Sequence, residues 1–379
     1  MKVAFICALY NYHQKPFAEA MSELCDFTFI EERYLSDERK ELGHKEEERP
    51  KFLVHMKEER KKCEKIIDEA DVLMFGTAPK VIVEKAKKDG KLLVKCTERI
   101  FKTPPKWYEM PLRRIRYFSR YRKMHLLCAS AYTASDYAKA GAFKGRAYKW
   151  GYFPPVKEIE DLDGFITQKE KNSILWCGRI IDWKHPEMAV SLAKRLISDG
   201  YDFEIKIVGT GDMYNDLKNL IKEQNVESKV KLLGSMSPES VRELMEKSEI
   251  YIATSDRNEG WGVIVNEAMN SACALVASNE MGAVPYLVKD GENGFVYYNN
   301  NEEELYEKVK RLLDNSEERK HFSKKAYETI YEEWNGKIAA ERLVNLFECL
   351  LNKKDVSNLY VNGPCSSADN KKRKNRSIK

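Results

Sequence analysis

Short apolar runs bounded by turn residues alternate along this chain with longer segments whose apolar positions recur every third or fourth residue. The first pattern predicts buried strands and the second predicts amphipathic helices. "KVAFICAL" from Lys2 reads as a strand, residues 16–25 as a helix and "DFTFIEE" as the next strand. Residues 36–70 are charged and helix-prone, with few turn formers. "DVLMFG" (71–76), "KLLVKC" (91–96) and "HLLCAS" (125–130) are further short strands, with a helix over 79–89 and another opening in "YTASDYAKAGA". Pro154 and Pro155 in "AYKWGYFPPV" mark a linker.

The rhythm then restarts. "NSILWCG" (172–178), "DFEIKIVG" (202–209), "KVKLLG" (229–234), "EIYIATS" (249–255), "ALVAS" (274–278) and "GFVYY" (294–298) read as strands. Helices are expected over 186–200, 213–225, 237–248 and 263–271, with a short one in "VPYLVKDG". Strands alternating with helices imply parallel sheets covered on both faces. Two such halves predict two Rossmann-like, doubly wound α/β domains, over 1–160 and 161–335, facing a central cleft. Ligands of such sheets sit at the C-terminal strand ends. Residues 301–352 read as helical. The stretch 336–355 is expected to pack back toward the N-terminal domain, and the polar 356–379 to be disordered.

The length of 379 residues agrees with two domains rather than one core. No run approaches the ~18 apolar residues of a membrane-spanning helix. The opening "MKVAFICALYNY" has a single Lys before its apolar run and reads as a buried strand, not a signal peptide. Nine cysteines are scattered singly, with no C-x-x-C pair. An odd count without metal-ligand spacing predicts reduced thiols in a cytoplasmic protein and no zinc. The net charge of +5 is concentrated at the end: "KKRKNRSIK" carries six basic groups, and +5 less six leaves −1 for the rest. That balance argues against a nucleic-acid partner.

Chemistry concentrates in "NEGWGVIVNEAM" (258–269). Glu259 and Glu267 stand eight positions apart. On one helix they would be about 12 Å apart, beyond the roughly 5–9.5 Å of a glycosidase carboxylate pair. Gly260 and Gly262 favour a different picture: strand, glycine loop holding Glu259, then a helix from near Val263 with Glu267 one turn in. Backbone N–H groups from Trp261 to Ile264 would then offer a helix N-terminus to a phosphate or a developing anion. Taken in isolation, the same spacing also fits a glycine turn flanked by two solvated glutamates.

The wider stretch "EGWGVIVNEAMNSACALVAS…MGAVPYLVKDGENGF" resembles the donor-site signature of retaining, GT-B-fold glycosyltransferases of glycosyltransferase family 4. "WCGRIIDWKHPEMAVSLAKRL" is similar to the family's preceding block, with Gly178, Arg179 and Lys184 at the matching positions. The likeness covers about 170–335 and is weak over 1–165. It implies a nucleotide diphosphate-sugar donor, UDP-sugar favoured. Arg179 and Lys184 would grip the diphosphate, whose charge grows as the glycosidic bond breaks, so two fixed cations stabilise the transition state more than the ground state. Glu267 would accept the ribose hydroxyls and Glu259 the hydroxyls of the transferred sugar. The amides near Gly260, Trp261, Gly262 and Val263 would add contacts. No metal and no cofactor are implied, because the cations neutralise the diphosphate.

Four further stretches bear on the same resemblance, two of them by departing from it. "IVGTGDM" has Tyr214 where a dinucleotide fingerprint needs its third glycine. Gly209 and Gly211 would instead allow close approach of the nucleotide, and Ser235 and Met236 in "LGSM" would lie by the base. In the first half, Glu98 and Arg99 in "KCTERIFK" occupy a strand end where many relatives carry a histidine. Glu98 either orients or deprotonates the acceptor hydroxyl, or forms a structural pair with Arg99. The first loop, "ALYNYHQ", lacks the relatives' paired glycines; Asn11 and His13 there either reach the donor phosphates or face the acceptor, or His13 is a surface histidine without a ligand role.

Residues 113–125, "RRIRYFSRYRKMH", hold Arg113, Arg114, Arg116, Arg120 and Arg122 among Tyr117, Phe118 and Tyr121, with no acid between them. Such a segment suits an anionic membrane surface or a lipid diphosphate; the alternative is a solvated basic helix. The acceptor expected is a saccharide or a lipid-linked saccharide in surface glycan assembly, reached from the cytoplasm. Two rival readings stay open: a sugar-nucleotide hydrolase or epimerase of the same fold, and a non-catalytic binder at a membrane or nucleic acid.

Overall fold

Strand formation follows the continuous apolar runs. Val3–Ile6, Val72–Phe75 and Leu126–Cys128 are buried along their whole length, as parallel strands covered on both faces require. The computed structural model describes residues 1–34 and 49–368, and these divide into two units. The first holds residues 1–34, 49–152 and 336–368, and the second holds 153–335. The helical expectation over 36–48 and the basic tail 371–379 lie outside the described residues.

The first unit is a seven-stranded parallel sheet. Its strands are β1 (Lys2–Cys7), β2 (Asp26–Glu31), β3 (Leu53–His55), β4 (Val72–Phe75), β5 (Leu92–Thr97), β6 (His125–Cys128) and β7 (Ala147–Lys149), in the order β3-β2-β1-β4-β5-β6-β7. Part of the expected charged helix is therefore a strand. Phe52–Val54 is a short apolar island, Leu53–His55 pairs with β2, and among the described residues of this stretch only Arg60–Glu69 is helical.

The chain end also belongs to the first unit. Helix Gly336–Leu351 lies on helix Lys15–Leu24, and a Cβ at Gly336 would stand 2.6 Å from the Phe17 backbone nitrogen. The expectation of disorder from 356 fails over its last described residues. Lys149 N donates to Ser366 O at 2.8 Å, Cys365 N to Lys149 O at 2.8 Å and Ala368 N to Ala147 O at 2.9 Å. Small, buried Cys365, Ser366 and Ala368 thus cover the open edge of β7.

The second unit holds β8 (Glu170–Cys177), β9 (Glu204–Val208), β10 (Val230–Gly234), β11 (Ser248–Ala253), β12 (Ala274–Ser278) and β13 (Phe295–Tyr297). All pairings are parallel, in the order β10-β9-β8-β11-β12-β13. Counted within the unit this is 3-2-1-4-5-6, the doubly wound order of dinucleotide-binding sheets. The two units divide after Tyr152, ahead of the expected boundary at 160. Below the sheet, buried Lys169 donates to four carbonyls: Met245 at 3.1 Å, Glu246 at 2.9 Å, Ser248 at 3.0 Å and Ser271 at 2.8 Å. One ammonium so satisfies the C-terminal carbonyls of helices Pro238–Lys247 and Ile264–Asn270. Among the described residues no helix is long and apolar enough to cross a membrane.

Candidate active site

In a doubly wound sheet the crevice opens where the strand order reverses, outside the carboxyl ends of the two strands involved. In the second unit those strands are β8 and β11. Arg179 and Lys184 follow β8, and Glu259 follows β11. The two loops are stitched together. Thr254 Oγ1 accepts from Trp176 Nε1 at 2.7 Å and donates to the Lys184 carbonyl at 2.6 Å. Asp256 N donates to the Trp183 carbonyl at 3.0 Å. His185 takes a left-handed conformation (φ 49°), and its ring meets Glu187 at 2.9 Å and Asp256 at 3.7 Å. The bond to Glu187 holds the imidazole above its ordinary pKa, favouring the charged ring.

This frame brings Lys184 Nζ onto Glu259 Oε2 as an ion pair in which each side chain is only 14% exposed. The Trp183 ring lies beside both cations, with the Lys184 ammonium 4.9 Å and the Arg179 guanidinium 5.7 Å from its centroid. Arg179 itself is exposed. Two cations and one carboxylate are thus held together at the strand ends, able to receive an anion and hydroxyl groups side by side.

Gly262 shapes the Glu259 loop. It has φ 88°, and a Cβ there would meet Met281 Cε at 2.6 Å and Glu259 Cγ at 3.3 Å. Its neighbour Trp261 is 1% exposed, with Nε1 bonded to Asn266 Oδ1 at 2.8 Å and its ring beside Tyr286 and Trp334. Trp261 therefore anchors the loop from inside; Gly260 is also buried. Val263 caps helix Ile264–Asn270, and half-buried Glu267 lies in its first turn. Burial pushes the Glu267 carboxyl up to about 8.

Gly209 and Gly211 are required by the packing of the protein's own loops. A Cβ on Gly209 would lie 1.8 Å from the Gly178 carbonyl, and one on Gly211 2.3 Å from the Ile180 carbonyl. The space they leave is filled by the loop after β8, which donates to the residues before each glycine, Gly178 N to Val208 O and Ile180 N to Thr210 O. Ser235 and Met236 follow β10, where Gly234 O accepts from Gly209 N at 2.8 Å.

In the first unit, Glu98 follows β5 and accepts from the Tyr152 hydroxyl at 2.8 Å. Burial holds the Tyr152 phenol well above its ordinary pKa. Arg99 is buried against Asp136 at 3.9 Å and lies 4.8 Å over the Tyr132 ring. The His13 ring stacks toward Tyr152 at 6.1 Å, and Asn11 accepts from His13 N at 3.1 Å in the turn before helix Lys15–Leu24. The basic segment forms helix Met110–Tyr121. Arg113 pairs with Glu109 at 2.7 Å and Arg114 donates to the Lys139 carbonyl at 3.1 Å, while Arg116, Arg120 and Arg122 are exposed. Two of its three aromatics turn inward, since Tyr121 is buried and Tyr117 packs against Tyr121 and Tyr137.

Sequence reasoning missed the residues that hold this site. Thr254, Asp256 and His185 are polar residues at strand and turn ends. The available signal was a buried threonine directly after an apolar strand run.

Residues 159–329 match the family Glycosyl transferases group 1. An uncharacterized glycosyltransferase of Methanocaldococcus jannaschii is 28% identical over 54% of this chain and 55% of its own length. The N-acetylgalactosamine-N,N'-diacetylbacillosaminyl-diphospho-undecaprenol 4-alpha-N-acetylgalactosaminyltransferase of Campylobacter jejuni is 30% identical over 45% of this chain and 44% of its own. The chain thus spans about half the length of these curated relatives. Among solved structures, HepE of Anabaena in complex with UDP aligns with TM-score 0.69 and 15% identity, over 92% of this chain and 100% of its own. That likeness shows the fold, two Rossmann-like units of the GT-B class. The matched region, residues 159–329, is similar to glycosyl transferases.

Proposed function

We propose that this protein is a retaining glycosyltransferase. It moves a sugar from a nucleotide diphosphate donor, UDP-sugar favoured, to a hydroxyl of a saccharide or lipid-linked saccharide. The observation that carries this reading is the Lys184–Glu259 pair beside Arg179 at the strand-order reversal, within the matched family region. Support for UDP comes from the nucleotide bound to HepE, and support for a lipid-linked acceptor from the diphospho-undecaprenol in the Campylobacter relative's name.

In the proposed reaction the donor diphosphate meets Arg179 and Lys184, and the cations neutralise the charge that appears as the glycosidic bond breaks. Glu259, freed from part of its bond to Lys184, takes hydroxyls of the transferred sugar. Glu267 sits one helical turn away for the ribose. Gly178, Gly260, Gly262 and Val263 supply backbone contacts, and Ser235 and Met236 border the base. The acceptor attacks the face the leaving group departs from, which keeps the anomeric configuration. Glu98, Asn11 and His13 are the residues proposed for the acceptor side. The product serves surface glycan assembly in the cytoplasm, at the inner face of a membrane.

Thermal shift with UDP-, GDP-, ADP- and dTDP-sugars tests the donor. One nucleotide series should raise the melting temperature, and Arg179→Ala should remove that rise. Product analysis with and without acceptor then tests transfer. Rapid release of free sugar, or an epimerised donor, in the absence of acceptor would replace this reading with a hydrolase or epimerase.

A further inference from the structure

The first unit contains a cavity of about 240 Å³ whose walls include Phe75, Thr77, Lys95, Arg120 and Tyr121. It lies beside the carboxyl ends of β4 and β5. Lys95 is opposite Phe75 in strand register, and its ammonium stands 5.4 Å from the Phe75 ring. Arg120 enters from the last turn of helix Met110–Tyr121, with its guanidinium 5.5 Å from the Tyr121 ring.

Among the described residues neither cation has a carboxylate partner. Two positive charges therefore line one small cavity with aromatic walls and no anion. An ammonium in such a place is costly to dehydrate. Burial, with Arg120 acting in the same direction, pushes Lys95 down to about 8. An anion between the two groups would offset both effects. Thr77 adds a hydroxyl, and helix Lys80–Lys88, nine residues long, begins three positions beyond it.

The size selects the ligand. Pockets for drug-sized molecules run to roughly 300–1,000 Å³. A smaller, cationic cavity suits a phosphate group rather than a whole nucleotide-sugar. The surroundings point to its carrier. The helix that supplies Arg120 presents Leu112, Ile115 and Phe118 at 76%, 71% and 61% exposure, and Trp107 just before it is 84% exposed. Exposed Arg114, Arg116, Arg122 and Lys123 stand among them. Large apolar side chains interleaved with arginines form the face that settles into an anionic lipid interface.

We propose that Lys95, Arg120 and Thr77 form a phosphate-binding pocket, and that the phosphate reaches it on a lipid held by the adjoining apolar face. The pocket is separate from the Lys184–Glu259 site and stands whether or not the transfer reading holds.

Vesicle flotation with the full chain tests it, comparing phosphatidylcholine alone with phosphatidylcholine containing phosphatidic acid. Inorganic pyrophosphate binding is measured by calorimetry in parallel, in an Arg179→Ala, Lys184→Ala background that removes the diphosphate site proposed above. Binding to the phosphatidic acid vesicles should fall at least tenfold in Lys95→Met and in Arg120→Gln, and Lys95→Arg should retain it. Ile115→Ser with Phe118→Ser should abolish flotation while leaving pyrophosphate binding in place. Pyrophosphate binding that depends on Lys95, without any vesicle binding, would keep the pocket and overturn its lipid source. Vesicle binding indifferent to Lys95 and Arg120, or no binding of either probe, would overturn the pocket. Should Lys95→Met melt before the assay temperature, Thr77→Val replaces it and is expected to weaken both probes.

Discussion

Lys184 and Glu259, 75 residues apart in sequence, close on one another as an ion pair between the loops that follow β8 and β11. The pair links the two strands at which the sheet order reverses. It also means that each residue is held in place before any ligand arrives.

Lys184→Ala and Glu259→Gln should each lower turnover by at least about 100-fold, the scale of losing a charge-stabilising group from a reaction site. Each leaves its partner uncompensated in a nearly closed site, so each should also lower the melting temperature. The double variant Lys184→Ala with Glu259→Gln should lose less stability than the two singles added together. Circular dichroism melts and initial rates check both statements. Near-normal turnover in Lys184→Ala would remove the diphosphate role.

Glu267 gives a pH signature. Its folded pKa, about 8, lies above the ordinary 4.5, so the fold favours the protonated acid. The stability this contributes is fully present below 4.5 and is lost as pH rises through 8. Glu267→Gln cannot ionise and escapes that loss. The melting temperature of the variant minus that of the parent should therefore increase from pH 5 to about pH 8 and level off above it. A flat difference would show an ordinary carboxylate.

Gly209→Ala should be strongly destabilising, because its Cβ would collide with the Gly178 carbonyl at 1.8 Å, a backbone atom that cannot swing aside. Gly291→Ala is the control. Gly291 also has a positive φ, 81°, but nothing lies within 4 Å of its Cβ. It should cost only the left-handed backbone term of roughly 1–2 kcal/mol. Denaturant unfolding of the two variants separates collision from backbone preference. Equal losses would contradict the packing of the two loops.

Lys169→Met should lose about 3 kcal/mol or more, since four carbonyls would exchange a charged donor for a thioether. Urea titration measures it. A variant as stable as the parent would mean that water reaches those carbonyls instead.

The two-sheet architecture was legible because parallel strands buried on both faces leave unbroken apolar runs, as in "ILWC" before Arg179 and "IYIA" before Thr254. Arg179, Lys184 and Glu259 were singled out by the resemblance of their blocks, and the strand order β10-β9-β8-β11-β12-β13 is what puts them at the reversal point. What the linear pattern hid was contact between distant segments. Nothing in "EGWG" announces that Glu259 meets Lys184. Nothing in "GTG" tells a glycine that admits a ligand from one that admits the Gly178 carbonyl. The strand over Leu53–His55 was masked by surrounding charge, since three residues give too short a run to set a period. Cys365 to Ala368 were misread because a polar composition says nothing about an open β7 edge waiting for a partner.

The return of the chain end has a consequence for synthesis. The second unit is one uninterrupted stretch, 153–335, whereas the first is completed only by residues 336–368. On the ribosome, the part made later can therefore finish folding first. Until residues 336–368 have been made, helix Lys15–Leu24 lacks its cover and β7 keeps a bare edge, the kind of surface on which nascent chains aggregate. Truncation near residue 335 would leave the second unit whole and the first permanently unfinished.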